Sequence, residues 1–92
     1  MKNNYEIDIL PTAYRDLKWW NKRGGKKGKN RLLKIYEELQ INPLTGIGKP
    51  HALKHDLAGK YSRTIDGENR IIYSIDDDNK VVTIYSAKGH YK

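Results

Sequence analysis

Three clusters of polar side chains carry the residue types that could do chemistry in this chain. The first is Gly48-Lys49-Pro50-His51-Ala52-Leu53-Lys54-His55, a loop-like stretch rich in lysine and histidine just ahead of a strand candidate. The second sets Tyr61-Ser62-Arg63 against Asn69-Arg70 across a turn, and the third is the terminal Gly89-His90-Tyr91-Lys92. Singly, each has a bland explanation. A loop histidine is usually a surface residue, a strand arginine often covers a sheet edge or pairs with a carboxylate, and chain ends fray. Together they supply the parts for cleaving RNA. RNA carries its own nucleophile, the 2′-hydroxyl, so cleavage needs a base for that proton, a cation for the crowded phosphorane and an acid for the departing 5′ oxygen. Histidine suits either proton-transfer role near neutral pH, and the planar fork of arginine grips two phosphate oxygens at once. Lys54 would add charge for the RNA backbone. The scheme needs no metal or other cofactor. The chain has no cysteine and no HExxH or comparable ligand spacing.

The elements that must position these residues follow from periodicity. Tyr5 to Ile9 alternates apolar and polar side chains, the period of a half-buried strand that Pro11 ends. Thr12 is placed to cap a helix carrying Ala13, Leu17 and Trp20 at i, i+4 and i+7. Asn21 to Asn30 holds three glycines among five cationic residues and reads as a flexible basic connection. A second helix runs from Arg31 with the stripe Leu32, Leu33, Ile35, Tyr36 and Leu39, and Asn42-Pro43 stops it. Thr45 to Lys54 reads as a loop. Three strands are expected at 57–65, 69–75 and 80–87, joined by the turns Asp66-Gly67-Glu68-Asn69 and Asp76-Asp77-Asp78-Asn79. With the first turn centred on Gly67-Glu68, Ile65 lies opposite Arg70 and Arg63 opposite Ile72, which aims both arginines at one face. The order of elements is that of a single α+β domain over residues 1–92, two helices packed on a mainly antiparallel sheet.

Ninety-two residues leave no room for a second core, and a net charge of +7 favours a polyanionic partner, nucleic acid or an acidic protein. No apolar run reaches the length of a membrane span, and no signal-peptide core follows the first residues, so a membrane role is excluded and a cytoplasmic location expected.

The stretch Asn42-Pro43-Leu44-Thr45-Gly46-Ile47-Gly48-Lys49-Pro50, then Leu53-Lys54-His55, Leu57-Ala58-Gly59-Lys60-Tyr61-Ser62-Arg63 and Asn69-Arg70-Ile71-Ile72-Tyr73 resembles the signature of YoeB-type toxins of the RelE superfamily. Members read P-x-x-G-x-G-K-P-E-x-L-K-H, then L-x-G-x-W/Y-S-R, then H-R-L-V-Y, and finish on His-Tyr, here His90-Tyr91. The resemblance implies a RelE-like α+β fold and the toxin half of a toxin–antitoxin pair, an mRNA interferase that cuts mRNA in the ribosomal A site. It also implies a YefM-like antitoxin whose disordered tail wraps the basic toxin, in a hetero-oligomer or beside a homodimer. It places the phosphorane-stabilising arginine on Arg70, the general acid on His90, the terminal tyrosine on Tyr91 and the loop lysine on Lys54. Lys49 and Arg63 read as further phosphate contacts.

One position departs. The family's general-base glutamate follows Gly-Lys-Pro, and that position here is His51. Either His51 does the glutamate's work, or lysines and arginines supply the base, or the chain is a weakened toxin whose main job is to bind its antitoxin or RNA. A smaller departure is Asn69, where relatives often carry histidine.

Overall fold

The alternation near the N-terminus becomes a strand whose partner lies at the far end of the chain. In the computed structural model, which describes residues 4–89, β1 (Glu6–Ile9) runs parallel to β5 (Val81–Ser86), with Glu6 opposite Val81 and Ile9 opposite Ile84. Between them come α1 (Pro11–Arg23), α2 (Lys26–Ile41), β2 (His51–Ala52), a single 3-10 turn at His55–Leu57, β3 (Lys60–Thr64) and β4 (Arg70–Asp76). The sheet order is β1-β5-β4-β3-β2, and every junction but the first is antiparallel. Ala13 and Trp20 of α1 and Leu32, Ile35 and Leu39 of α2 meet Ile65, Ile71, Tyr73, Val82 and Ile84 of the sheet in one core. This is the α+β architecture expected, with one strand more than alternation could reveal. The extra strand, β2, has two residues, too few for a period to show.

Proline shapes the start of α1 differently from the expectation. Leu10 is the N-cap and Pro11 occupies the first turn, where a missing N–H costs nothing. Thr12 does not cap; its Oγ1 donates to the Tyr85 carbonyl at 2.7 Å and ties the helix to β5. The second helix also begins earlier than expected, at Lys26, so only Gly24 and Gly25 separate the helices. The reason is packing. A methyl group built on Gly24 or Gly28 would overlap the Trp20 indole, which is 3% exposed. Glycine inside a helix gives up about 1 kcal/mol relative to alanine. Burying an indole of 150–250 Å² gains roughly 4–6 kcal/mol at most, so the ring wins. The α2 stripe is narrower than expected: Leu33 is 62% exposed while Leu32, Ile35 and Leu39 are buried.

The β3–β4 hairpin closes with a three-residue loop. Ile65 N–H donates to the Asn69 carbonyl at 2.9 Å, and Asp66 Oδ1 accepts the Glu68 and Asn69 N–H groups. That capped turn sets Thr64 opposite Arg70 and Arg63 opposite Ile71. The shift of one residue puts Arg63 on the helix-covered face and Arg70 on the other, which corrects the expectation that both share a face.

Candidate active site

Arg70 opens β4 on the sheet face turned away from the helices. Its N–H donates to the Gly89 carbonyl at 3.0 Å. Among the described residues, Arg70 Nη1 is the buried side-chain nitrogen or oxygen without a hydrogen-bond partner. Leaving such a donor unmet inside a protein typically costs about 1–3 kcal/mol, more for a charged group. A native fold tolerates that where a ligand anion completes the set.

The register brings His51 to the same face. His51 lies opposite Ser62, Ser62 opposite Ile72, and Thr64 opposite Arg70. Two strand spacings and two residues of rise separate His51 from Arg70, roughly 12 Å between Cα atoms, which leaves space for a ribose and its phosphate between the two side chains. His51 is exposed, and Lys49 and Lys54 beside it are exposed as well. Residues 51–57 curl around a shallow cavity of about 290 Å³ that contains His51, Lys54 and His55. Lys49, just ahead of this segment, and His55 within it have φ of 53° and 59°. Non-glycine residues in that left-handed region are strained and collect at functional sites. Among the described residues, no group of three or more histidine, aspartate or glutamate side chains could hold a metal.

Arg63 stands elsewhere. Its side chain is fully buried and pairs through Nη1 with Glu38 Oε1 at 2.9 Å, the one ion pair among the described residues. Nη2 donates to the carbonyls of Pro43 and Thr45, and Nε to the Tyr73 hydroxyl. With four of its five N–H donors taken and none of the side chain open to solvent, this guanidinium is out of reach of phosphate, so the expected RNA contact at Arg63 is withdrawn. The signal was present in the sequence: Arg63 is two residues from Ile65, and side chains two apart share a face. Burial pushes the Tyr73 phenol above its ordinary value, and it stays protonated to donate to the Pro43 carbonyl at 2.9 Å. Glu38 Oε1 also accepts the Ile47 N–H at 2.9 Å. The result is a fastener for residues 42–48, the segment that delivers Lys49 and His51. Gly46 and Gly48 permit it. Gly48 has φ of +82°, and a Cβ there would lie 2.7 Å from the Thr64 carbonyl, whose own N–H donates to the Gly48 carbonyl.

His90 and Tyr91 lie outside the described residues, but the chain leading to them is held from three sides. Ala87 N–H donates to Asp16 Oδ2 at 2.9 Å, and Trp20 Nε1 donates to the Ala87 carbonyl at 2.6 Å. Lys88 Nζ sits 4.3 Å from the centre of the Trp19 ring. Gly89 N–H donates to Asn69 Oδ1 at 2.8 Å. Asp16, Trp20 and Asn69 were not singled out as site residues from the sequence. Asn69 had a hint, as a departure immediately beside Arg70.

The comparisons with known proteins show the family and the fold. The family described as YoeB-like toxin of bacterial type II toxin-antitoxin system matches residues 10–91. The chain is 38% identical over 85 residues to Toxin YoeB of Mycobacterium bovis, covering 92% of this chain and 96% of that one. It superposes on the YoeB dimer of Staphylococcus aureus with a TM-score of 0.81 at 36% identity, over 96% and 99% of the two chains. The toxin of the Staphylococcus aureus YoeB–YefM complex gives a TM-score of 0.79, also at 36% identity, over 95% and 98%. An arginine on an open sheet face, a fastened loop ahead of it and the segment Ala87 to Gly89 held beside it are thus set in the RelE fold, and the chain belongs to the YoeB family of toxins of bacterial type II toxin–antitoxin systems.

Proposed function

We propose that this toxin is a ribosome-dependent endoribonuclease that cuts mRNA in the A site and thereby stops translation in the cytoplasm. The observation that supports it most is the buried, unpartnered Arg70 Nη1, a donor held ready for an anion. A base, His51 in this reading, takes the 2′-hydroxyl proton as that oxygen attacks phosphorus. Arg70 stabilises the phosphorane, the bond from phosphorus to the 5′ oxygen breaks, and His90 protonates the leaving oxygen. A 2′,3′-cyclic phosphate and a free 5′-hydroxyl result. Tyr91 positions the RNA or stacks on a base, and Lys49 and Lys54 hold phosphate. All three services come from side chains, so the reaction runs without a metal. The tie between Gly89 and Arg70 supports the placing of acid and arginine at one site, because His90 is the next residue in the chain.

The test is cleavage on programmed ribosomes by Arg70→Ala. Loss of one preorganised donor to a developing oxyanion costs about 2.7–4 kcal/mol of barrier, a fall of about 10²–10³-fold. Circular dichroism should show an intact fold. Cleavage at the parent rate would refute the site.

The partner fits as well. The solved relatives include a YoeB–YefM complex, and a YefM-like antitoxin is the proposed ligand of a groove of about 370 Å³ between the helices. Leu17, Trp20, Leu33 and Tyr36 line it, with Lys29 among them. An acidic, amphipathic segment would bury its apolar side there and neutralise the cation. The other proposed assembly is a homodimer, like the solved Staphylococcus aureus relative.

A further inference from the structure

The sheet face that carries Arg70 and His51 extends beyond them, and its charges are sorted. Side chains alternate along a strand, so Lys60, Ser62 and Thr64 of β3 and Arg70, Ile72 and Ser74 of β4 all point to this face. On β1, Ile7 and Ile9 pack toward the core, which turns the exposed Glu6 and Asp8 to the open face. That margin of the sheet is acidic, while Lys49, Lys54 and Lys60 make the opposite margin basic. A polyanion is thereby steered onto the half of the face between β2 and β4.

An aromatic ring is held over that half. Ile84 of β5 pairs with Tyr73 and Ser86 with Ile72, so Tyr85 is an extra residue with no partner on β4. Bulges of this kind re-aim a side chain and collect beside active sites. The Tyr85 side chain reaches from β5 across to β4, where its hydroxyl meets Ser74 Oγ at 3.0 Å. Thr12 Oγ1 donates to the Tyr85 carbonyl at 2.7 Å and ties the same residue to α1. Lys60 Nζ, from β3, sits 4.7 Å from the ring centre. The ring is fixed at both ends, and it is only half-buried. Ile72 and Ser74 stand two and four residues along β4 from Arg70, a rise of roughly 7 and 14 Å. The ring is therefore within reach of the nucleotide next to one bound at Arg70.

We propose that Tyr85 and Lys60 form a nucleobase subsite: the ring stacks the base of a nucleotide flanking the phosphate at Arg70, and Lys60 binds that nucleotide's own phosphate. The proposal rests on RNA being what Arg70 binds. Lys60 beside the ring does not block it. A cation on an exposed ring contributes about 2–5-fold to an equilibrium and a stacked base about 5–150-fold, so the base displaces the ammonium toward the phosphate. Stacking uses the face of a base and not its edge, so every base fits and the larger purines bind best. Lys60 fills a variable position of the L-x-G-x-W/Y-S-R motif, and Tyr85 lies outside the residues that carry the family resemblance. The bland alternative is that the ring only covers Ser62 and Ile72, which are buried on this face. An aliphatic side chain would cover them as well, and that separates the two.

The test is a nuclear magnetic resonance titration of the full chain with an all-adenine RNA trinucleotide whose 2′-hydroxyls are methylated, so that it cannot be cut. The Tyr85 ring resonances, assigned by comparison with Tyr85→Phe, should move upfield as a base stacks on them. The shift should vanish for the trinucleotide that lacks the base at one particular position. Tyr85→Leu should weaken trinucleotide binding by about 5–150-fold, while Tyr85→Phe, which keeps the ring, should bind like the parent. Toward the trinucleotide lacking the stacked base, Tyr85→Leu and the parent should bind alike. Lys60→Gln should flatten the slope of log affinity against log salt by about 0.7. Ring resonances that stay in place overturn the proposal, and the parent's own shifts decide the matter if Tyr85→Leu fails to fold. Equal losses in Tyr85→Leu and Tyr85→Phe overturn it too, as does a loss in Tyr85→Leu that persists without the base. Cleavage by Arg70→Ala on programmed ribosomes speaks to the catalytic reading alone: a parent rate there refutes that reading, while a base-dependent shift at Tyr85 still upholds the subsite.

Discussion

Arg63→Ala is expected to destabilise the fold and not to act through RNA. The substitution strands the Glu38 carboxylate and takes a donor from the carbonyls of Pro43 and Thr45. Removing one partner of a buried pair typically costs about 3–5 kcal/mol. Glu38 is 24% exposed, so water reaches it and the lower end, about 3 kcal/mol, applies. A chain of this length has roughly 5–14 kcal/mol in all. Each kcal/mol moves the midpoint of a small domain by about 4–8 °C, so the fall should be roughly 12–24 °C. Glu38→Gln should lose only about 1–2 kcal/mol, because its amide oxygen still accepts the Ile47 N–H. Urea unfolding followed by far-ultraviolet circular dichroism gives the numbers, with cleavage measured on the same samples. Stability within about 0.5 kcal/mol of the parent, the range of an ordinary surface substitution, together with a flattened salt dependence of RNA binding, would mean that the guanidinium reaches phosphate. The fastener would then be wrong.

Three other outcomes are expected. His51→Ala should slow cleavage by about 10²–10⁴-fold if His51 is the base. His51→Glu should keep activity and move the acidic limb of the pH–rate curve downward, since glutamate titrates near about 4.3 and histidine near about 6.5 in peptides; an unchanged curve in both makes it a bystander. Gly28→Ala should destabilise by about 1–2 kcal/mol in thermal melts although alanine is the better helix former, because the overlap with Trp20 outweighs the propensity gain; Gly25→Ala, with open space around it, is the tolerant control. Burial acts to raise the Asp66 carboxyl, but hydrogen bonds from Glu68 and Asn69 outweigh it and hold the group below its ordinary value. A depressed carboxylate stabilises the fold above its unfolded value of about 3.9 and loses that contribution as pH falls through the lower folded value. Acid denaturation should therefore weaken below about pH 4 in Asp66→Asn relative to the parent, and identical acid curves would contradict the turn geometry.

Elements with a long, regular period were legible in the sequence: the α1 face of Ala13, Leu17 and Trp20, the end of α2 at Asn42-Pro43, and the antiparallel run from β3 to β5. What escaped depended on contacts between distant residues. Gly24 and Gly28 look like helix breakers until the Trp20 ring is placed against them. The hairpin register turned on how Asp66 caps its own loop, a difference of one residue that moved Arg63 from solvent to core. The candidate site divided along the same line. Arg70 and His51 come to one sheet face through the strand register, with Lys49 and Lys54 exposed near His51, while Asp16 and Trp20 hold Ala87 and Asn69 holds Gly89, contacts that spacing along the chain does not show.

The parallel pairing of β1 with β5 has a bearing on when this protein becomes dangerous. Glu6 finds its partner only at Val81, and the loop between Gly46 and Gly48 closes on β3, which is flanked by β4 and then β5. A nascent chain that stops short of β5 has its first strand unpaired, α1 without the Ala87 anchor for Trp20, and β4 with an open edge. Contacts of such sequence separation are also slow to form, because the loop-closure entropy must be met before they give anything back. Part-made copies therefore lack the completed sheet that holds Arg70, and the interval before the sheet closes is time in which a waiting partner can meet the toxin unfinished.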